Sequence, residues 1–339
     1  MNDKKPISYP QAWYPLTKSS QIKENTIKSI RAFENDWLLY RDENNQPTLV
    51  GRYCCHIGVD LINGQMKNGC IVCPLHGWQF GKNGECHLIP ALKNKMSADK
   101  ADYEKQKKQR KLKSLPCKEA YGLIFVFLGE TPTYDVPLPA NMRSVQYGLS
   151  EQLLFSGEHH VLCLNTFDLQ HYQAIHHRQL TRSAKIESIS PHHLGITMNV
   201  KILPITLLDK FMAKLVKGSN TISIDCWGAS ILIMKNSKTG YGAVFSILPV
   251  EEHQSDIFMV AIKEESTKQN VFTGIRDYLS LVIAVKIVRR FLLADEPVLT
   301  GIHSIDGCLL NGVDDAMKRY WQYWRELPRY VFNVNKKSS

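Results

Sequence analysis

No run among the 339 residues is apolar enough, for long enough, to cross a bilayer as a helix. The longest candidate, YLSLVIAVKIVRRFLLA from Tyr278 to Ala294, is broken by Lys286, Arg289 and Arg290 and falls short of the roughly 20 apolar residues a span requires. It is expected to form a buried or amphipathic helix. The N-terminal MNDKKPISYPQAWYPL has no apolar stretch of the kind a secretory signal carries, so a cytoplasmic location is expected. There is no internal repeat, and the one low-complexity segment, Leu92 to Lys113, is rich in lysine and arginine. It lacks the interleaved aromatics of a stacking platform for single strands, so the formal charge of +10 is not read as a nucleic-acid partner. That segment is expected to be a solvated, mobile insertion, the alternative being a docking site for an acidic partner protein. Nine cysteines make an odd count, and four of them crowd between Cys54 and Cys73. This argues against a secreted disulfide framework and for metal.

What is present suffices for two domains, since a chain that is 44% hydrophobic can bury a sizeable core. The first part reads as short strands and turns: TIKSIRAF, the hairpin NDWLLYRDENNQPTLVGRY with its turn near Asn44 and Asn45, and YGLIFVFLG from Tyr121 to Gly129. The proline-rich TPTYDVPLPANM then marks a boundary, placed between domains 1–135 and 136–339. The second part mixes long strands (ITMNVKI, NTISIDCWGASILIMK, YGAVFSILPV, DIFMVAIKEE) with helical stretches near 164–178, 270–294 and 314–326. Strands in series with separate helices predict an α+β layer on an antiparallel sheet. His159 and His160 are expected in a strand.

Residues 52–80 read RYCCHIGVDLINGQMKNGCIVCPLHGWQF, which gives C-x-H at Cys54 and His56 and, after a gap of sixteen, C-x-x-H at Cys73 and His76. Two thiolates on one iron and two imidazoles on the other would hold a 2Fe-2S cluster of the Rieske kind. Each pair sits on its own loop, and Gly58 and Gly77 behind the histidines let the backbone bend. A structural Cys2His2 zinc site uses the same residue types, but usually as C-x-x-C followed by H-x3-H, whereas here each pair is mixed. CPLHGWQF closely resembles the second cluster loop of Rieske proteins, and AYGLIFVFLGE resembles the strand that follows it in Rieske oxygenases. The chain departs from those oxygenases in carrying Cys55 and Ile57 where proline and arginine are common. It also has Val59 and Leu75 where respiratory Rieske proteins carry a loop disulfide, so that bridge cannot form here.

Further on, LNTFDLQHYQAIHHR (Leu164 to Arg178) places Asn165, Asp168, His171 and His176 in one expected helix. Two histidines and a later carboxylate make the facial triad that leaves positions open on ferrous iron. Histidines five apart lie about 140° around a regular helix, so a π-bulge or a break is expected between them. D-x-x-H-x4-H preceded by asparagine resembles the iron-binding motif of Rieske non-heme iron oxygenases. The resemblance implies Asp295, near the end of the long C-terminal helix, as third ligand, with Glu296 facing elsewhere and Asp306 in reserve. It also implies that Asp168 bridges the mononuclear site to a cluster histidine of a neighbouring subunit in a head-to-tail homotrimer. Asn165 is either a nearby supporting residue or a helix cap.

Taken whole, the chain resembles the oxygenase (alpha) component of these enzymes. That implies an N-terminal β-rich Rieske domain and a C-terminal helix-grip (START/Bet v 1-like) domain. It also implies a 2Fe-2S cluster and a mononuclear Fe(II), electrons from a reductase or ferredoxin, and O2 chemistry on an apolar, ring-containing organic substrate. The pocket is expected to be roofed by GASILIMK, AVFSILPV and the helix ending at Asp295. A Rieske electron carrier with an extension, or a cluster-bearing ligand-binding protein without catalysis, are the alternatives. Both predict no second iron in use.

Overall fold

The computed structural model describes residues 7–93, 99–139, 145–147, 150–264, 271–300, 302 and 308–332. The backbone divides into two units, Pro15–Val136 on the one hand, and the segment up to Tyr14 together with everything from Pro137 on the other.

The unit Pro15–Val136 is built of short antiparallel strands. One sheet runs Ser114–Leu115, Pro47–Gly51, Asn35–Arg41 and Lys28–Ala32 in spatial order, and another runs Gln65–Lys67, Cys70–Val72, Gln79–Phe80 and Cys86–Leu88. The hairpin turn forms where Asp42 Oδ1 accepts from the backbone N–H of Asn44 and Gln46, both at 2.9 Å, and Asn45 takes a left-handed φ of 59°. Leu38, Tyr40, Val50, Ile71 and Phe80 pack into a core that also receives Cys54 and Cys73. Leu123–Phe127 (LIFVF) is buried at all five positions, so this strand is covered on both faces.

The lysine-rich segment is not the mobile insertion expected of it. Lys100–Lys108 is a helix, started by Asp99, whose side chain accepts from the Asp102 N–H, and Tyr103 within it is 1% exposed. A single buried aromatic anchors an otherwise solvated face. Residues 94–98 of the segment lie outside the described residues.

Among the described residues, the second unit is built around an antiparallel sheet of nine strands. Its central path is Gln254–Glu264, Tyr241–Glu251, Ile231–Asn236, Ser219–Trp227 and His193–Ile202. Along His193–Ile202 the inward residues Ile196, Met198, Val200 and Ile202 alternate with Thr197, Asn199 and Lys201, the period-two pattern of a sheet with one covered face. Helices cover that face. Asp315–Glu326 buries Ala316, Tyr320 and Tyr323, spaced four and three apart, on one stripe. The long helix is Val271–Leu299, and none of the helices among the described residues is long and apolar enough to cross a membrane.

Three local expectations are revised. The chain's first strand, Ser8–Pro10, pairs with Arg329–Val331, so it belongs with the second unit and not with 15–135. His159 and His160 open a helix, His159–Phe167, rather than lying in a strand. The single helix expected over 164–178 is two short ones, His159–Phe167 and Leu169–Ala174, separated at Asp168 (φ −79°, ψ 99°) and followed by a strand from Arg178.

Candidate metal centres

The four residues at the first site sit on two loops of matching construction. In the first, the Cys54 N–H donates to the Val59 carbonyl at 2.8 Å and the Gly58 N–H donates back to the Cys54 carbonyl at 2.9 Å. In the second, Cys73 N–H donates to Trp78 O at 2.8 Å and Gly77 N–H to Cys73 O at 3.0 Å. Each loop is thus closed by the same two bonds, and each needs a left-handed glycine, with φ of 78° at Gly58 and 68° at Gly77. The cysteines are buried and the histidines exposed at the loop tips. His56 stacks on Trp78 with centroids 4.5 Å apart, and the Nδ1 atoms of His56 and His76 face each other at 3.1 Å. Two imidazole nitrogens on one tetrahedral metal lie about 3.3 Å apart, so this spacing fits a shared metal better than two independent rings. Burial pushes the Cys54 thiol up to about 12, and Cys73 beside it adds to the rise. An uncharged buried thiol is inert on its own; a cationic centre is what would convert the pair to thiolates.

At the second site the break in the helix does what the spacing required. Leu169–Ala174 begins on Asp168, whose Oδ1 accepts from the Gln170 N–H at 3.0 Å, and ends where the Ile175 N–H donates to the His171 carbonyl at 2.8 Å. His176 follows in the turn, and His177 takes a left-handed φ of 55° before the strand starts. The chain therefore turns His176 back toward His171, with ring centroids 5.2 Å apart. Asp295 arrives on the long helix, its two carboxylate oxygens 3.0 and 3.2 Å from His176 Nε2. The ligating atoms of His171, His176 and Asp295 all lie within 4.8 Å of one another, and all three residues are buried. His171 Nδ1 donates to the Asp168 carbonyl, which fixes the tautomer and turns Nε2 toward the other two groups. Burial lowers the pKa of His171, keeping the ring in the neutral form a metal takes. Two imidazoles and one carboxylate on one side of a cavity is a donor set that fits a mononuclear iron with open positions.

That cavity measures about 420 Å³. Its walls come from the expected strands, through Leu232, Met234 and Phe245, and from the long helix through Ile287 and Phe291. Asn165 also lines it; the residue lies within the helix His159–Phe167 and is not an N-cap. Glu296 faces a different small hollow, beside Leu153 and Phe155, and Asp306 lies outside the described residues. Asp168 is half-buried and acts here through its backbone carbonyl on His171 and its carboxylate on the Leu169–Ala174 helix start.

Sequence reasoning missed the network that holds this turn in place. Arg178 donates from Nη1 to the His176 carbonyl at 2.7 Å and to Asp209 Oδ1 at 2.8 Å, while His177 Nδ1 donates to Asp209 Oδ2 at 2.9 Å. Burial alone would raise the Asp209 pKa, but the hydrogen bonds from Arg178, Thr206 and His177 outweigh it and hold the carboxyl well below the usual range. Asp209 belongs to a helix, Leu207–Val216, that the sequence reading left out, and Phe211, Met212 and Val216 from it line the cavity. Its signal was present: Thr206-x-x-Asp209 is a capping box with both reciprocal bonds made.

Residues 12–116 match the Rieske [2Fe-2S] domain model. Among curated proteins, the chain is 29% identical over 179 residues to chlorophyllide a oxygenase of Arabidopsis thaliana, a match covering 52% of this chain and 31% of that protein. It is 32% identical over 148 residues to cholesterol 7-desaturase of Hemicentrotus pulcherrimus, covering 42% of this chain and 29% of the relative. The matches span about a third of the length of these relatives. Among solved structures, Pseudomonas putida NdmA with theobromine superposes with a TM-score of 0.65 at 16% identity, over 96% of this chain and 97% of that one. Dicamba monooxygenase bound to dicamba gives 0.60 at 16% identity, over 94% and 97%. Residues 12–116 thus resemble a Rieske [2Fe-2S] domain, and the chain as a whole shares the fold of NdmA and of dicamba monooxygenase.

Proposed function

We propose that this chain is the oxygenase component of a Rieske-type mono- or dioxygenase that oxidises an apolar, ring-containing organic substrate. Cys54, His56, Cys73 and His76 would hold the 2Fe-2S cluster, and His171, His176 and Asp295 the mononuclear Fe(II). A reductase or ferredoxin supplies electrons to the cluster. When bound, the iron supplies open positions at which dioxygen is activated. The observation that carries the reading is the placing of the two histidines and the aspartate, with ligating atoms within 4.8 Å, on the wall of an apolar cavity. An electron carrier has no use for such a cavity.

The protein's own residues have separable tasks. The Asp168 carbonyl holds His171 in one tautomer, the Arg178–Asp209 pair fixes the turn that presents His176, and the cavity walls exclude water and orient an apolar substrate. Asp168 is also proposed to accept from a cluster histidine of a neighbouring subunit in a homotrimer. The exposure of His56 and His76 on their unit supports that role. The substrate class draws support from the relatives, whose names give chlorophyllide a and cholesterol, both polycyclic.

Anaerobic reconstitution with iron and sulfide tests the proposal. Cluster iron plus one mononuclear iron per chain is expected, with an EPR signature of the cluster and oxygen uptake that depends on a reductase. A chain that takes up cluster iron alone would refute it.

A further inference from the structure

The mouth of the cavity carries features that the reaction does not use. Phe211 and Ile283 both line the cavity and are 62% and 60% exposed, so they stand at its rim. They belong to two helices with further bare apolar side chains. On Leu207–Val216, Leu207 lies one turn before Phe211 and is 85% exposed, the highest value among the exposed large apolar residues. On Val271–Leu299, Ile275, Leu279 and Ile283 follow at intervals of four and form one exposed stripe, with Tyr278 beside it.

The charge around this apolar rim has one sign. Lys210, Lys214 and Lys217 are exposed along the first helix and its end, and Arg276, Lys286 and Arg290 along the second. Between 203 and 218, and between 274 and 290, the acids are Asp209 and Asp277, and both are buried. Asp209 is held by Arg178, and Asp277 by Lys263 at 2.6 Å with Arg276 3.4 Å away on it, so Arg276 is the one of these six cations with a buried acid beside it. Leucine and phenylalanine on an amphipathic face fringed by lysine is the pattern of a helix lying in a lipid interface.

We propose that this face docks on the surface of an anionic lipid bilayer, the apolar side chains entering the acyl boundary and the cations meeting head-group phosphates. Charge complementarity selects this occupant. A second copy of the chain applied symmetrically would set the six cations against their own counterparts. A protein partner seated here would close the mouth, whereas a bilayer is itself a reservoir of apolar molecules and would feed it. The inference rests on the reading of the cavity as the substrate site only for its purpose; binding to vesicles is measured without turnover, so the two can fail separately.

The test is co-sedimentation of the reconstituted protein with vesicles of phosphatidylcholine alone and of phosphatidylcholine mixed with phosphatidylserine. Binding to the mixed vesicles, weakened by added salt, is expected. Each cation near such a surface contributes about a factor of five, so Lys210→Gln/Lys214→Gln/Lys286→Gln should bind about 100-fold more weakly. Leu207→Ser/Leu279→Ser, both at exposed positions, should also lose binding while melting as the parent does. Failure of the parent protein to bind mixed vesicles, or equal binding by both variants, would overturn the proposal. So would self-association by light scattering that disappears in Leu207→Ser/Leu279→Ser, which would make the face a contact between copies.

Discussion

Replacing Asp209 with asparagine removes one proton's worth of charge and little volume, yet it should be among the costlier changes in the second unit. The Asp209 carboxylate accepts four bonds: from Arg178 Nη1 at 2.8 Å, His177 Nδ1 at 2.9 Å, Thr206 Oγ1 at 2.7 Å and the Thr206 N–H at 3.2 Å. An asparagine amide offers one oxygen and one NH2, so whichever way it turns, a donor faces donors. Arg178, whose side chain is 7% exposed, is left with its charge buried and its ion pair gone. Breaking a buried pair in this way costs about 3–5 kcal/mol. In a unit of this size each kcal/mol moves the melting midpoint by about 2–4 °C, so a fall of about 6–20 °C is expected for the transition of this unit. Because the folded pKa of Asp209 is depressed, its contribution is present above the unfolded value and is lost as pH falls through it. The gap between parent and variant should therefore narrow below about pH 4. Calorimetry of the parent and Asp209→Asn at neutral and acid pH measures both. The Arg178→Met/Asp209→Leu pair, which removes donor and acceptor together, should recover part of the loss. Equal midpoints for the parent and Asp209→Asn at neutral pH would refute the argument that this pair anchors the turn carrying His176.

Asp295→Ala should abolish uptake of the mononuclear iron while leaving cluster iron and its EPR signal intact; full retention of the third iron would move the ligand elsewhere. Gly77→Ala should cost the cluster more than Gly58→Ala. Both have left-handed φ, but a Cβ at Gly77 meets Pro90 Cγ at 3.3 Å while one at Gly58 meets nothing within 4 Å, and cluster absorbance per chain reads the difference. Burial lowers the pKa of His160 to about 4, and His159 beside it is lowered as well. The unfolded rings protonate first as pH drops through about 6.5, so about 3 kcal/mol of stability should be lost between there and pH 4 from His160 alone. His160→Phe, which keeps the stacking on Trp324, should flatten that acid-side decline in a pH series of melts.

The parts of the sites that were legible in the sequence are those made within a few residues. Both cluster loops are closed by bonds spanning no more than five positions, so C-x-H and C-x-x-H followed by glycine carry their own geometry. The turn from His171 to His176 is likewise local, and its helix had to break for both rings to share a metal. Asp295 is different. It reaches His176 across 119 residues, and no periodicity in the long helix singles it out from Glu296 next to it; only likeness to a family pattern did. His159 and His160 were misplaced for a related reason. HHVLCLNTF is buried at every position except Asn165, and a segment covered all round shows neither the period of a helix nor that of a strand. The N-terminal strand was assigned to the wrong unit because an edge pairing such as Ser8 with Val331 leaves no trace in local composition. The Arg178–Asp209 pair shows the limit most clearly. An arginine after two histidines and an aspartate in a capping box each have an ordinary surface reading. Only their meeting behind the turn gives them a role beside the His171–His176–Asp295 cluster, so the candidate ligands could be named from the chain while the support that positions them could not.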